Sequence, residues 1–125
     1  MAQAYTGISW FGDGSMKNFK CFVTDIYSHT KSAELKWPIG IKRISPSKDV
    51  PPSEINRLLE KARAMSEAEQ ARGDCSFLVT LAEEMLEACD AADAGDWNAC
   101  YDELGDAAAV IIRAMELIHP RTKET

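Results

Sequence analysis

Residues 81–118 read LAEEMLEACDAADAGDWNACYDELGDAAAVIIRAMELI, and this stretch decides the fold. Leu78, Leu81, Met85 and Ala88, with Phe77 alongside, recur at helical spacing and form the expected buried stripe of a helix that opens after Asp74 or Cys75 and runs to about Ala92. A short Ala-Gly-Asp turn follows, where Asp96 is placed to cap the next helix, over 97–118. That helix carries Trp97, Tyr101, Leu104, Ala108, Ile111, Met115 and Ile118 as its stripe, and Pro120 marks its end. Two helices joined by so short a turn lie antiparallel.

Upstream, Ser53 is expected to cap a helix over 54–72, with Ile55, Leu58, Leu59, Ala62 and Met65 facing inward and Gly73 as its stop. The segment 38–53, PIGIKRISPSKDVPPS, holds four prolines and reads as a long connection that either covers a site or crosses the surface. Before it, the spacing of Met16, Phe19, Val23, Ile26 and Tyr27 predicts a first helix from Ser15 to about Trp37, stopped by Pro38. Residues 1–14, with Gly7, Gly12 and Gly14 around Trp10 and Phe11, read as an irregular lead segment. No strand pattern, internal repeat or low-complexity tract is present, so the expected class is all-α, four helices in one domain over 1–125.

Length and composition agree. A chain of 125 residues suffices for one domain with a real core, and 46% hydrophobic with 27% charged residues excludes a disordered or collagen-like chain. No apolar run approaches the ~20 residues of a membrane span. The stretch MAQAYTGISWFGDG lacks the basic start and apolar run of a signal peptide, so a cytoplasmic location is expected, with no membrane partner. Cys21, Cys75, Cys89 and Cys100 form no CxxC pair and read as reduced core thiols.

Net charge is −6, against direct nucleic-acid binding, and its distribution is uneven. Residues 1–72 hold eleven Lys/Arg and eight Asp/Glu, whereas 73–125 hold three and twelve. Between Arg72 and Arg113 no basic side chain occurs. A solvated acidic helix face is one explanation. The spacing favours another. Glu84 and Glu87 are three apart on one helix, Glu103 and Asp106 three apart on the next, and each pair projects from one face. With each pair roughly 8–9 Å from the turn, an antiparallel hairpin sets them level. Four carboxylates at one height with no nearby Lys or Arg do not all stay ionised at neutral pH unless cations enter. An all-oxygen set suits Mg²⁺ or Mn²⁺, while zinc prefers His and Cys. A di-iron site is disfavoured, because no Glu-x-x-His occurs and His29 and His119 read as surface or helix-end groups. Gly105, inside the fourth helix, implies either close packing by the third helix or room for a ligand.

These residues resemble the core of the MazG-like all-α nucleoside triphosphate pyrophosphohydrolases, whose pattern is ExxE, a variable link, then ExxD. Here ExxE is Glu84-Met85-Leu86-Glu87 and ExxD is Glu103-Leu104-Gly105-Asp106. The resemblance spans about residues 76–118, and the lead segment is similar to that of a compact phage-type member, for which host cytoplasm would be the location. It implies a four-helix MazG-like bundle completed by pairing into a homodimer or homotetramer, with the site near the interface. It further implies hydrolysis of a nucleoside triphosphate to monophosphate and diphosphate, leaning to purine deoxynucleotides such as dGTP or dATP, with Mg²⁺ or Mn²⁺ held by Glu84, Glu87, Glu103 and Asp106.

Glu83, beside the motif, is placed to orient or deprotonate the attacking water. Arg113, seven residues after Asp106, either reaches a phosphate or pairs with Glu116. Trp10 and Trp37 lie outside the regular stripes and are the candidates for base stacking, with Lys36 among the nearby cations. The competing reading is a non-catalytic helical adaptor whose acidic face is merely solvated.

Overall fold

The computed structural model describes residues 19–37, 40–46 and 49–122. The lead segment 1–14, Ser15 and Met16 lie outside the described residues. Four helices follow one another: α1 (Phe19–Lys36), α2 (Pro52–Arg72), α3 (Phe77–Asp93) and α4 (Trp97–Thr122). No strand occurs among the described residues, and the chain is all-α. None of these helices is long and apolar enough to cross a membrane.

The helix ends show how the sequence sets the lengths. Pro51 caps α2 and Pro52 is its first residue, so Ser53 sits inside the first turn instead of capping it. Proline's fixed φ and missing N–H suit that position. Gly73 ends α2 as expected, at φ 66°, with its N–H donating to the Gln70 carbonyl and the Asp74 N–H donating to Glu69. The cap of α3 is Ser76, not Asp74 or Cys75. Its Oγ accepts from the Val79 N–H at 3.3 Å, and its own N–H donates to Glu69 Oε1 at 2.8 Å. Glu69, in the last turn of α2, reaches across the link and selects the residue that caps α3. Asp96 caps α4 as read, accepting from the Ala99 N–H at 3.1 Å. Helix α4 runs two residues past Pro120, a departure near its end that forfeits a single backbone hydrogen bond.

The chain forms two compact units. In the first, over Arg43–Ile111, α2 packs along α3, and α3 turns back into α4. Its buried residues include Ile55, Leu59, Ala62, Val79, Ala88, Cys100, Ala107 and Val110. The second contains α1 and the part of α4 from Ile112. There Phe22 is buried and meets the His119 ring edge-on at 5.6 Å, while Val23, Ile26 and Tyr27 are exposed.

The inward faces differ from the apolar stripes of the sequence. On α2, Ile55, Leu59 and Ala62 are inside, but Leu58 and Met65 are exposed and Ser66 is buried, bonded by Gln70. On α3, Leu78, Met85 and Phe77 are exposed, whereas Val79, Glu84 and Ala88 are buried. On α4, Cys100, Glu103, Ala107 and Val110 are buried, and Trp97, Tyr101, Leu104, Ala108 and Ile111 face outward. The buried residues of α3 and α4 are thus Val79, Ala88, Cys100, Ala107 and Val110 with the carboxyl residues Glu84 and Glu103. Only Cys100 of the four cysteines is fully buried; Cys21 and Cys75 are exposed, and all four are free thiols.

Loss of the Ser76 hydroxyl removes both the cap and part of the α2–α3 clasp. Ser76→Ala should lower the unfolding free energy by about 1 kcal/mol in urea titration, while Cys75→Ala leaves it unchanged.

Candidate metal centre

Helix α3 continues six residues beyond Glu87, to Asp93, and α4 begins six before Glu103, at Trp97. Equal arms of about 9 Å bring the acidic turns level. One carboxylate oxygen from each of Glu84, Glu87 and Glu103 lies within 4.8 Å of the others. Asp106 is outside that trio, one turn further along α4, and its charge still acts on Glu84. Glu103 is 4% exposed and Glu84 9%.

Burial and crowding change the titration of the cluster. Burial first, then a hydrogen bond with Glu103 and the charges of Glu87, Glu103 and Asp106, push the Glu84 carboxyl up to about 8. Burial, then hydrogen bonding with Glu87, pushes Glu103 up to about 7. Asp106 is also raised, by burial and then by the charges of Asp102 and Glu87. Glu84 and Glu103 therefore keep their protons to higher pH than free carboxyls do.

The absence of a nearby base, read from the sequence, is corrected by α2. Arg63 Nη2 lies 3.2 Å from Glu87 Oε2. Twenty-four residues separate the two, so only the packing of α2 on α3 joins them. Its signal was the spacing: Arg63 follows buried Leu59 by four and so borders the inward face of α2. The proline-rich connection also reaches α3 near the cluster. Ser45 Oγ donates to the Cys89 carbonyl at 3.2 Å, and the Cys89 thiol lies 3.6 Å from the Ile44 carbonyl.

Does this set fit a divalent ion? Glu84 Oε2 and Asp106 Oδ2 are buried and accept no hydrogen bond. Buried carboxylate oxygens in that state are costly, and a hard cation is the partner that such oxygens satisfy best. All the donors are carboxylates, and neither histidine belongs to the cluster. The set is one that could hold a hard divalent cation.

No family model, curated protein or solved structure matches the chain. The chemistry of the cluster itself carries the reading of the site.

The remaining candidates fall elsewhere. Glu83 is half-buried beside Glu84 and is not one of the converging three. Lys36 and Trp37 lie together in the second unit, the ammonium 4.7 Å from the centre of the indole, and both are exposed. Arg113, in the same unit, pairs with Glu116. Trp10 lies outside the described residues. Gly105 is exposed, and a Cβ there would meet nothing within 4 Å, so close packing by α3 is not the reason for glycine.

Two predictions follow from this geometry. The folded cluster holds protons that the unfolded chain releases near pH 4–4.5, so without metal, stability should fall as pH rises from about 5 toward 8. Mn²⁺ should remove that fall, because it replaces the protons. Thermal melts at both pH values, with EDTA or Mn²⁺, read this directly; metal-free stability that rises with pH contradicts it. Separately, Gly105→Ala should stabilise α4 by roughly 0.5–1 kcal/mol, since alanine favours the helix and nothing obstructs it.

Proposed function

We propose that this chain is a Mg²⁺- or Mn²⁺-dependent nucleoside triphosphate pyrophosphohydrolase that converts a triphosphate and water into the monophosphate and diphosphate. The observation that supports this most directly is the convergence of Glu84, Glu87 and Glu103 within 4.8 Å, with buried Glu84 Oε2 and Asp106 Oδ2 lacking hydrogen-bond partners. Glu84, Glu87, Glu103 and Asp106 would hold the ions. Divalent ions, when bound, polarise the α-phosphate and stabilise the departing diphosphate.

The residues supply the rest. Glu83 accepts a proton from water as the water oxygen bonds to the α-phosphorus. The bond from that phosphorus to the bridging oxygen breaks, and its electron pair leaves with diphosphate. Arg63, exposed on one side and paired with Glu87 on the other, is the cation placed to exchange its carboxylate for a phosphate oxygen. The sequence also offers Trp10, Trp37, Lys36 and Arg113 as candidates for substrate contact; of these, Trp37 is exposed beside the Lys36 ammonium and Arg113 pairs with Glu116. Purine deoxynucleotides such as dGTP or dATP are the proposed substrates. A phage-type role in host cytoplasm and a homo-oligomeric state belong to the same reading.

A second reading, a non-catalytic helical adaptor, is favoured by the apolar side chains that α4 leaves exposed. Manganese separates the two: the adaptor reading predicts no binding by calorimetry with folded protein.

In a diphosphate-release assay across deoxy- and ribonucleoside triphosphates, Glu84→Gln, Glu87→Gln, Glu103→Gln and Asp106→Asn should each reduce turnover on the order of 100-fold or more. Arg63→Ala should act mainly on KM. Near-parent release by any two of the four carboxylate variants overturns the assignment.

A further inference from the structure

We propose that Arg63 and a divalent cation compete for Glu87, so that entry of the ion releases the guanidinium to a polyphosphate. The inference rests on the metal-dependent reading above and adds a trigger to it. Arg63 stands at an exposed position of α2, with Glu60 three residues before it and Glu67 four after it, both within reach along its own helix. Its guanidinium instead bonds to Glu87, twenty-four residues away on α3. The acidic turns of α3 and α4 are the stronger attractor, because three carboxylates converge there.

The hold is loose. On the same helix, Arg57 grips Glu54 through two nitrogens, at 2.9 and 2.7 Å. Arg63 meets Glu87 through Nη2 alone, at 3.2 Å, beyond the roughly 2.7–2.9 Å of a strong charge-assisted bond. The Arg63 side chain is 48% exposed and that of Glu87 17%, so the guanidinium can withdraw into water while the carboxylate stays in place. A divalent ion among Glu84, Glu87 and Glu103 needs the lone pairs of Glu87 and brings two positive charges up to a third. Both effects push the guanidinium out. The buried Glu84 Oε2, which has no hydrogen-bond partner, marks a place that an ion would satisfy and the arginine does not. Once released, Arg63 has Glu60 and Glu67 as resting places on α2. A bound polyphosphate offers a better one, since its oxygens match the guanidinium fork. Metal binding thereby turns a counter-ion of the carboxylates into a ligand for phosphate.

Calorimetric titrations of the full chain with Mn²⁺, and of the Mn²⁺-loaded chain with inorganic diphosphate, test the proposal. Arg63→Gln should bind Mn²⁺ about 10-fold more tightly, because the competitor is gone, and diphosphate about 10-fold more weakly, because the phosphate ligand is gone. A merely structural arginine would not move the two affinities in opposite directions. Arg57→Gln, the same loss of charge on the same helix, should move neither. Arg63→Lys, which keeps the charge, should return Mn²⁺ affinity to within about threefold of the parent. Should Arg63→Gln lose helicity by circular dichroism, Arg63→Met keeps the aliphatic stem and makes the same test. No Mn²⁺ binding by the parent chain, Mn²⁺ affinity that stays level or falls in Arg63→Gln, an equal rise in Arg57→Gln, or diphosphate binding that does not weaken overturns the proposal. Opposite shifts in a chain that hydrolyses no triphosphate support it and overturn only the hydrolase reading.

Discussion

Like-charge repulsion within the α3–α4 hairpin is the constraint on which the rest of this structure depends. Carboxylates held within 4.8 Å of one another repel by about 3.5 kcal/mol per ionised pair at an effective dielectric of 20. The fold sustains the arrangement in two ways. Burial and mutual charge raise Glu84 and Glu103 far above ordinary carboxyls, so these groups keep protons to higher pH. Arg63 also reaches in from α2 to Glu87.

A cluster that resists its own assembly must be clasped from outside. The turn into α4 is held by Asp96, and the entry to α3 by Ser76, which Glu69 grips from the preceding helix. Ser45 and Ile44 lie against Cys89, two residues beyond Glu87. These contacts are individually modest, yet they act on the two helix ends that determine how the acidic turns face each other.

The same constraint explains the composition of the interior. Where α4 turns inward it presents Cys100, Glu103, Ala107 and Val110, and α3 answers with Glu84 and Ala88. The large apolar residues Trp97, Tyr101, Leu104 and Ile111 face outward, and Glu84 and Glu103 are buried among smaller apolar side chains.

Local rules made much of this legible before any coordinates. Four helices, the Gly73 stop, the Asp96 cap and the level placement of Glu84, Glu87 and Glu103 follow from residue spacing, because helical rise and rotation are the same wherever a helix forms. Which stripe faces inward did not follow. Periodicity assigned Trp97, Tyr101, Leu104 and Ile111 to the core, since hydrophobic burial is the default outcome, and the structure left them outside. The proximity of Arg63 to Glu87 and the choice of Ser76 as cap likewise needed the packing of α2 on α3 and the reach of Glu69. Sequence by itself determined the elements and the chemical character of the site, which arise within one or two helical turns. The tertiary structure alone decided which face each helix turns inward and which distant cation meets the acids, because both depend on contacts between segments far apart along the chain.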